Sequence, residues 1–143
     1  MGEFKIKKFP IWSVEVEDVA GATTGIYKVL ADAGADIKFA LGRPRSNKPD
    51  EAILFLAPIE GKEQQAAAKR AGMIPRPDVV GLQVDGPNRK GGNFKLTAAL
   101  SHANVTVRAL VTTVNDDHFT AVFALTSDKD AEVAAKVLDE VLN

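Results

Sequence analysis

The fold is decided by residues 14–37, which read VEVEDVAGATTGIYKVLADAGADI, because residues 84–107 repeat their pattern as VDGPNRKGGNFKLTAALSHANVTV. The two stretches lie 70 residues apart, and their alignment needs no gap. Similarity at a fixed period indicates a duplicated supersecondary unit. The matching positions are Val14 and Val84, Glu15 and Asp85, Gly21 and Gly91, Ile26 and Leu96, Val29 and Ala99, Leu30 and Leu100, Ala33 and Ala103, and Ile37 and Val107.

Composition restricts what the duplicated unit can be. The chain has 143 residues, of which 45% are hydrophobic and 26% charged, and its formal net charge is -1. This composition is typical of a soluble globular protein, and it lacks the excess of Lys and Arg that nucleic-acid binding requires. The absence of cysteine excludes disulfides, thiolate nucleophiles and Cys-ligated metal sites. No signal peptide and no membrane span is recognisable, which predicts a cytoplasmic protein.

The first copy predicts a strand, a helix, two strands and a second helix. Apolar and polar residues alternate over 11–17, and the apolar spacing becomes helical from Ala22 until Gly34 ends the helix. Strands are predicted over 37–41 and 53–57, with a turn-rich basic segment between them, and a helix follows over 61–70.

The second copy predicts the same order independently. Strands are expected over 80–85, 105–111 and 119–125, and a helical stripe runs from Leu96 to Ala103. A closing helix is expected to begin at Asp128, with Ser127 as its N-cap.

This order, with one further strand, is the split βαβ plan. The predicted fold class is α+β, with two tandem ferredoxin-like βαββαβ units that have antiparallel sheets and helices packed on one face. The predicted units are 1–76 and 77–143. The first unit can take its last strand from 73–75, whereas the second ends directly after its helix. We therefore expect the N-terminal strand 3–9, or a strand of another chain, to cover the open sheet edge of the second unit.

Each copy has a glycine turn between its first strand and its first helix, Asp-Val-Ala-Gly at 18–21 and Asn-Arg-Lys-Gly at 88–91. Here the sequence resembles the ACT domain family, small regulatory modules that bind amino acids. Their first strand runs into an Asp-x-x-Gly turn, and the following helix has the pattern of residues 29–37. The second copy departs from the family, with Asn88 for Asp and Lys90 where Ala20 stands. The resemblance spans nearly the whole chain and implies a tandem regulatory module without catalytic residues or a cofactor.

The resemblance implies a ligand site at these turns. A helix N-terminus carries unpaired N–H groups and a partial positive charge, so a glycine there lets a carboxylate approach closely. Asp18 or Asn88 could accept hydrogen bonds from an α-ammonium group, and Lys90 could reinforce the carboxylate site. The alternative is that these residues only form turns or cap helices. The predicted ligand-binding residues are Asp18, Ala20, Gly21, Ala22, Asn88, Lys90, Gly91, Gly92 and Asn93.

Other candidate residues carry weaker signals. His102 and His118 have no metal-binding or catalytic spacing, and we expect both to have structural roles at the surface. The basic segment 43–48 is predicted to be a solvated loop rather than a docking surface. No metal site is predicted.

Three functions are compatible with the sequence. The favoured one is a tandem ACT-like amino-acid sensor that regulates an unidentified protein. The second is an assembly module whose turns bind nothing and whose sheets dimerise. The third is a small enzyme that uses His118 and the neighbouring aspartates. Because the units are small and one sheet lacks a strand, we expect a homodimer, with no nucleic-acid or membrane partner.

Overall fold

The computed structural model describes residues 2–17 and 20–143. Strands and helices alternate along this part of the chain in an α+β arrangement, which confirms the predicted fold class. In chain order the elements are β1 (Lys5–Glu17), α1 (Ala22–Asp32), β2 (Phe39–Arg45), β3 (Lys48–Ala57), α2 (Gly61–Arg70), β4 (Ile74–Pro87), α3 (Gly92–His102), β5 (Val107–Asn115), β6 (His118–Leu125) and α4 (Asp128–Leu142). The strands are hydrogen-bonded in the order β2-β3-β1-β4-β6-β5.

The chain divides into two compact units. One comprises Pro10–Arg76, and the other comprises the N-terminal segment through Phe9 together with Pro77–Asn143. Both β1 and β4 cross the division, so each of these long strands contributes a segment to both units. The N-terminal segment belongs to the predicted unit 1–76 by sequence, but in the structure it lies in the unit of the second copy.

The unit Pro10–Arg76 is built on an antiparallel sheet. Strand β3 pairs with β1, with Trp12 opposite Leu56 and Val14 opposite Leu54, and it pairs with β2 on its other side. Alternate residues of the strands therefore face the helices. The core consists of Trp12, Val14, Leu30, Leu54, Leu56, Ile59, Ala68 and Met73.

The unit that contains Pro77–Asn143 repeats this plan. Strand β6 pairs antiparallel with β4, with Val80 opposite Leu125 and Val84 opposite Ala121, and it pairs with β5 on its other side. The core consists of Phe4, Val80, Leu82, Val84, Leu96, Leu100, Val105, Phe119, Ala121, Phe123, Leu125, Ala131, Ala134 and Leu138. Phe4 belongs to this core although it lies at the other end of the sequence.

The N-terminal segment is integrated into this unit through aromatic and polar contacts. The ring of Phe4 lies against Gly86 and the ring of Phe9 against Gly81, so closely that a Cβ atom on either glycine would collide with the ring. The side-chain amide of Asn143 accepts a hydrogen bond from the backbone N–H of Phe4 at 2.9 Å and donates one to its carbonyl at 3.0 Å. The segment therefore packs as an ordered strand against Pro77–Asn143.

The backbones of the two copies match most closely around the first helix of each copy. Helix α3 begins and ends 70 residues after α1, and each helix follows a glycine in the left-handed conformation, Gly21 with φ 89° and Gly91 with φ 77°. The helix ends also match, because Gly34 and Asn104 both have positive φ. Glycine adopts this conformation without strain, and Asn is among the few other residues that tolerate it.

Two parts of the predicted secondary structure were wrong. The turn-rich segment 43–50 is a tight hairpin, since β2 continues through Arg45 and β3 begins at Lys48. Arg45 is not simply solvated, because it contacts Glu15 at 3.1 Å and Glu51 at 3.0 Å. The short strand predicted over 73–75 is the beginning of β4, which continues without a break through 80–85.

The capping prediction for the last helix is confirmed. Ser127 has an extended backbone, and its hydroxyl accepts a hydrogen bond from the backbone N–H of Asp130 at 3.1 Å. Such a cap satisfies one of the unpaired donors at the helix start.

Candidate ligand-binding site

The start of α3 presents backbone donors at the end of β4. Gly91 turns the chain into the helix, and no described side chain caps the helix start. The turn before it is fixed by two backbone hydrogen bonds, from the N–H of Asn88 to the carbonyl of Asp117 at 2.7 Å and from the N–H of Gly92 to the carbonyl of Arg89 at 3.0 Å. N–H groups in such a position are favourable for binding an anion.

A cavity of about 150 Å³ lies at this turn. Its apolar residues come from the N-terminal segment, from the end of β4, from α3, from β6 and from the end of α4, so five separate parts of the chain shape it. The lining residues are Phe4, Pro87, Arg89, Lys90, Gly91, Gly92, Lys95, Leu96, Phe119 and Leu142. Phe4, Leu96 and Phe119 are buried core residues, so the cavity has an apolar floor.

The rim of the cavity is cationic. Arg89 is partly neutralised, because its guanidinium contacts the carboxylate of Glu3 and lies 5.4 Å from the centre of the Phe4 ring. Lys90 and Lys95 are exposed, and within residues 2–17 and 20–143 neither has an ion-pair partner. No acidic residue belongs to the described lining. The site therefore has a positive field beside an apolar surface.

The equivalent turn of the first copy has the same backbone with different side chains. Gly21 precedes α1 in the left-handed conformation, Ala20 is exposed, and Ala22 is half-buried at the first position of the helix. Ala20 and Gly25 occupy the positions that correspond to Lys90 and Lys95. The predicted site residue Asp18 lies outside the described residues.

The structure brings together some of the predicted site residues of the second copy. Lys90, Gly91 and Gly92 line the cavity, whereas Asn88 and Asn93 are exposed and do not contribute to its lining. The carbonyl of Asn93 accepts a hydrogen bond from the Thr97 hydroxyl at 2.8 Å.

Sequence reasoning missed most of the apolar lining. Phe4 could have been found by combining the expected N-terminal strand with the glycine turn, and Lys95 by its place on the first turn of the helix. Phe119 and Leu142 carry no sequence signal of their own, because they are core positions of a strand and a helix.

A second polar cluster surrounds Asp85 on β4. Its carboxylate accepts hydrogen bonds from Gln83 at 2.6 Å and Thr120 at 2.7 Å, and it lies 3.2 Å from Nε2 of His118. Burial raises the pKa of Asp85, but the hydrogen bonds from Thr120, Gln83 and His118 outweigh it and hold the pKa below its ordinary value. The hydrogen-bonded partner of His118 is thus Asp85, across the strand pair, rather than an adjacent aspartate.

Comparison with solved structures places this geometry in a known fold. The regulatory subunit of aspartate kinase from Thermus thermophilus matches with a TM-score of 0.69 and 12% sequence identity, covering 100% of this chain and 98% of that one. A protein from Bacteroides thetaiotaomicron matches with a TM-score of 0.71 and 22% identity, covering 92% of this chain and 89% of that one. The chain has a tandem ACT-type fold.

The tandem ACT-type fold also occurs as part of a longer enzyme. Aspartokinase III of Escherichia coli, in a complex with lysine and aspartate, matches with a TM-score of 0.58 and 8% identity, covering 98% of this chain and 33% of that one. These neighbours confirm the fold that residues 14–37 and their repeat predicted. The Thermus thermophilus neighbour is a regulatory subunit, whereas aspartokinase III carries the fold within a larger chain. The sequence matches no protein-family model and no curated protein.

Within the described part of the chain, no helix combines the length and the apolar character that a membrane span requires.

Proposed function

We propose that this chain is a regulatory protein that binds an amino acid at the strand-to-helix turn before α3 and acts, as a homodimer, on another protein. One observation carries the proposal: the cavity at this turn combines an apolar floor with two lysines that lack ion-pair partners in the described chain. The regulatory subunits that share the fold support a regulatory role.

The size of the cavity suits a small metabolite. A dry cavity of 150 Å³ in a protein core holds a molecule as large as benzene, and the present cavity has a comparable volume of about 150 Å³. Its rim is open to solvent, so the polar end of a somewhat larger ligand can remain hydrated. The methylene groups of an amino-acid side chain would contact Leu96 and Phe119.

The charges at the rim indicate which amino acids would bind best. A carboxylate would accept hydrogen bonds from the free N–H groups of α3 and pair with Lys90 or Lys95. Because Glu3 is paired with Arg89 and neither lysine has an ion-pair partner in the described chain, the rim favours a ligand with net negative charge. An α-ammonium group would find no carboxylate in the described lining, so it would point to solvent. We therefore expect glutamate and aspartate to bind more tightly than their uncharged amides.

The first turn would bind the same ligands weakly or not at all. Its helix begins with the same left-handed glycine, but Ala20 and Gly25 supply no charge where Lys90 and Lys95 stand. The proposal is thus one principal site per chain.

Isothermal titration calorimetry with each of the twenty amino acids tests the proposal, and the comparison of glutamate with glutamine and lysine tests the expected preference for a negative charge. At about 100 times its dissociation constant, a ligand that binds only the folded state should stabilise it by roughly 2.7 kcal/mol, and thermal denaturation provides a second readout. The variant Lys90→Gln/Lys95→Gln should bind glutamate at least about tenfold more weakly, which corresponds to 1.4 kcal/mol.

Lys62→Gln is the matched control, because Lys62 is an exposed helical lysine in the other unit. Replacing Gly91 would be less informative, because its φ of 77° makes any side chain strained. If none of the twenty amino acids binds, the amino-acid proposal is wrong. Binding that is unchanged in Lys90→Gln/Lys95→Gln would place the site elsewhere.

A further inference from the structure

The N-terminal segment brings a carboxylate to the cationic rim of the cavity before α3. Arg89, one of the three rim cations, contacts the carboxylate of Glu3. The other two, Lys90 and Lys95, have no ion-pair partner in the described chain. Glu3 immediately precedes Phe4, whose ring belongs to the cavity floor. One short segment therefore supplies part of the apolar floor and also an anion on the guanidinium beside it.

The contacts of the neighbouring residue hold Glu3 in this place. The backbone of Phe4 forms two hydrogen bonds with the side-chain amide of Asn143, at 2.9 and 3.0 Å, and its ring is buried against Gly86. Glu3 is attached directly to this anchored residue. A tethered group has a high effective concentration at its site. A ligand carboxylate that approaches Arg89 therefore meets a competitor that cannot diffuse away.

Arg89 is also positioned by a contact that does not involve Glu3. Its guanidinium lies 5.4 Å from the centre of the Phe4 ring, and such stacking orients a guanidinium without using its hydrogen-bond donors. If Glu3 leaves, the guanidinium can stay at the rim and donate to another carboxylate. The exchange costs little, because the side chains of Arg89 and Glu3 are 51% and 68% exposed and exposed ion pairs contribute weakly.

We propose that Glu3 is an internal competitor for the ligand. Without ligand its carboxylate occupies Arg89, and an anionic amino acid displaces it and gains Arg89 as a third cationic contact. The competition raises the ligand concentration at which the site fills, while the apolar floor and the two lysines stay the same. This inference rests on the proposed function and specifies how that site is regulated. The first copy has no equivalent, since Val19 stands at the position of Arg89.

A double-mutant cycle tests the exchange. The unmodified protein, Glu3→Gln, Arg89→Gln and Glu3→Gln/Arg89→Gln are each titrated with glutamate by calorimetry, after thermal denaturation has shown that each is folded. Glu3→Gln should bind glutamate about three- to fivefold more tightly, which is the range that an exposed ion pair allows. In the Arg89→Gln background the same substitution should change the affinity by less than about twofold, because Glu3 then has no guanidinium to occupy.

Three results of the cycle would overturn the proposal. Equal affinities of the unmodified protein and Glu3→Gln would show that Glu3 does not compete. An equal or larger gain in the Arg89→Gln background would show that Glu3 acts only through its negative field. Weaker glutamate binding by Glu3→Gln would show that Glu3 contacts the α-ammonium group instead. Glu140→Gln is the matched control, because Glu140 is exposed on α4 of the same unit, and its affinity for glutamate should match that of the unmodified protein.

Inorganic phosphate separates this inference from the choice of ligand. Phosphate needs the cations of the rim but not the apolar floor, and its binding is followed through the Nε–H resonance of Arg89 in isotope-labelled protein. Glu3→Gln should lower the dissociation constant for phosphate about three- to fivefold. That result without binding of any amino acid would refute only the proposed ligand, whereas glutamate binding with one of the three overturning results would refute only the competition. A Glu3→Gln variant that binds neither glutamate nor phosphate would refute both.

Discussion

Replacing Phe4 with alanine tests whether the N-terminal strand is part of the core of the unit that contains Pro77–Asn143. The ring is 8% exposed and belongs to that core, it covers Gly86, and the guanidinium of Arg89 lies 5.4 Å from its centre. The backbone of Phe4 is hydrogen-bonded to Asn143 in both directions, so the substitution removes side-chain contacts while the strand can remain paired.

The expected cost follows from these contacts. Removing a buried phenylalanine side chain typically costs about 3–5 kcal/mol, and the loss of an exposed cation–π contact adds about 0.5–1 kcal/mol. For a chain of 143 residues, this corresponds to a fall in the melting temperature of roughly 10 °C or more. Urea denaturation followed by far-ultraviolet circular dichroism, which reports on both units, would give the free energy of unfolding.

Phe94→Ala is the matched control, because Phe94 is 78% exposed on α3 and the chemical change is the same. Its effect should stay within about 0.5 kcal/mol. If Phe4→Ala melts within about 2 °C of the unmodified protein, the N-terminal strand contributes no core packing and the assignment of Phe4 to this unit is wrong. Deletion of residues 1–9 should be at least as destabilising as Phe4→Ala, since it also exposes an edge of β4.

Three further predictions concern other parts of the chain. Gly25→Ala should stabilise α1 by about 0.5–1 kcal/mol, because Gly25 is helical and its added methyl group meets no atom within 4 Å; a lower midpoint in urea would contradict this. Gly81→Ala should cost about 1–3 kcal/mol through overpacking, because its Cβ would collide with the Phe9 ring, and an unchanged midpoint would show that the ring moves freely. Asp85 has a folded-state pKa below its ordinary value, so its contribution is present above the unfolded pKa of about 3.9 and is lost as pH falls through the folded pKa. The free-energy difference between the unmodified protein and Asp85→Asn should therefore shrink below about pH 4, and a difference independent of pH from 7 to 3 would argue against the Asp85 network.

Most of the fold prediction came from the repeat, because the two copies are different sequences that adopt the same backbone. Glycines at equivalent positions, Gly21 and Gly91, predicted helix starts that the structure places 70 residues apart. Leu30 and Leu100 are both buried, at 0% and 1% exposure. A position that keeps its character in both copies is constrained by the fold.

The errors arose where local composition and tertiary position disagree. Segment 43–50 is rich in proline and polar residues, which favours a loop, but β2 is an edge strand, where proline costs no ladder hydrogen bond. Strand β4 begins at Ile74 despite Pro75 and Pro77. No local pattern shows that a strand will continue through prolines, because its pairing partners lie elsewhere in the sequence.

The candidate site was only partly predictable for a related reason. Its backbone and its charged rim are local to 88–95, and the glycine turn indicated them. Its floor depends on Phe4, Phe119 and Leu142, which come from three distant elements. Of these three residues, only Phe4 could be assigned to the site from the sequence, because the N-terminal strand was expected to associate with the second copy.

The comparison of the two turns separates what the fold supplies from what the side chains supply. Both helices begin after a left-handed glycine, and neither start is capped by a described side chain, so the backbone donors are equivalent. A helix start alone contributes about 0.3–1 kcal/mol to binding a charge at an exposed position, which is too little for a selective site. The proposed difference in affinity must therefore come from Lys90, Lys95 and the apolar floor. Since Ala20 and Gly25 replace both lysines in the first copy, the duplication retained the fold in both units while the charges suited to an anionic ligand are found in one.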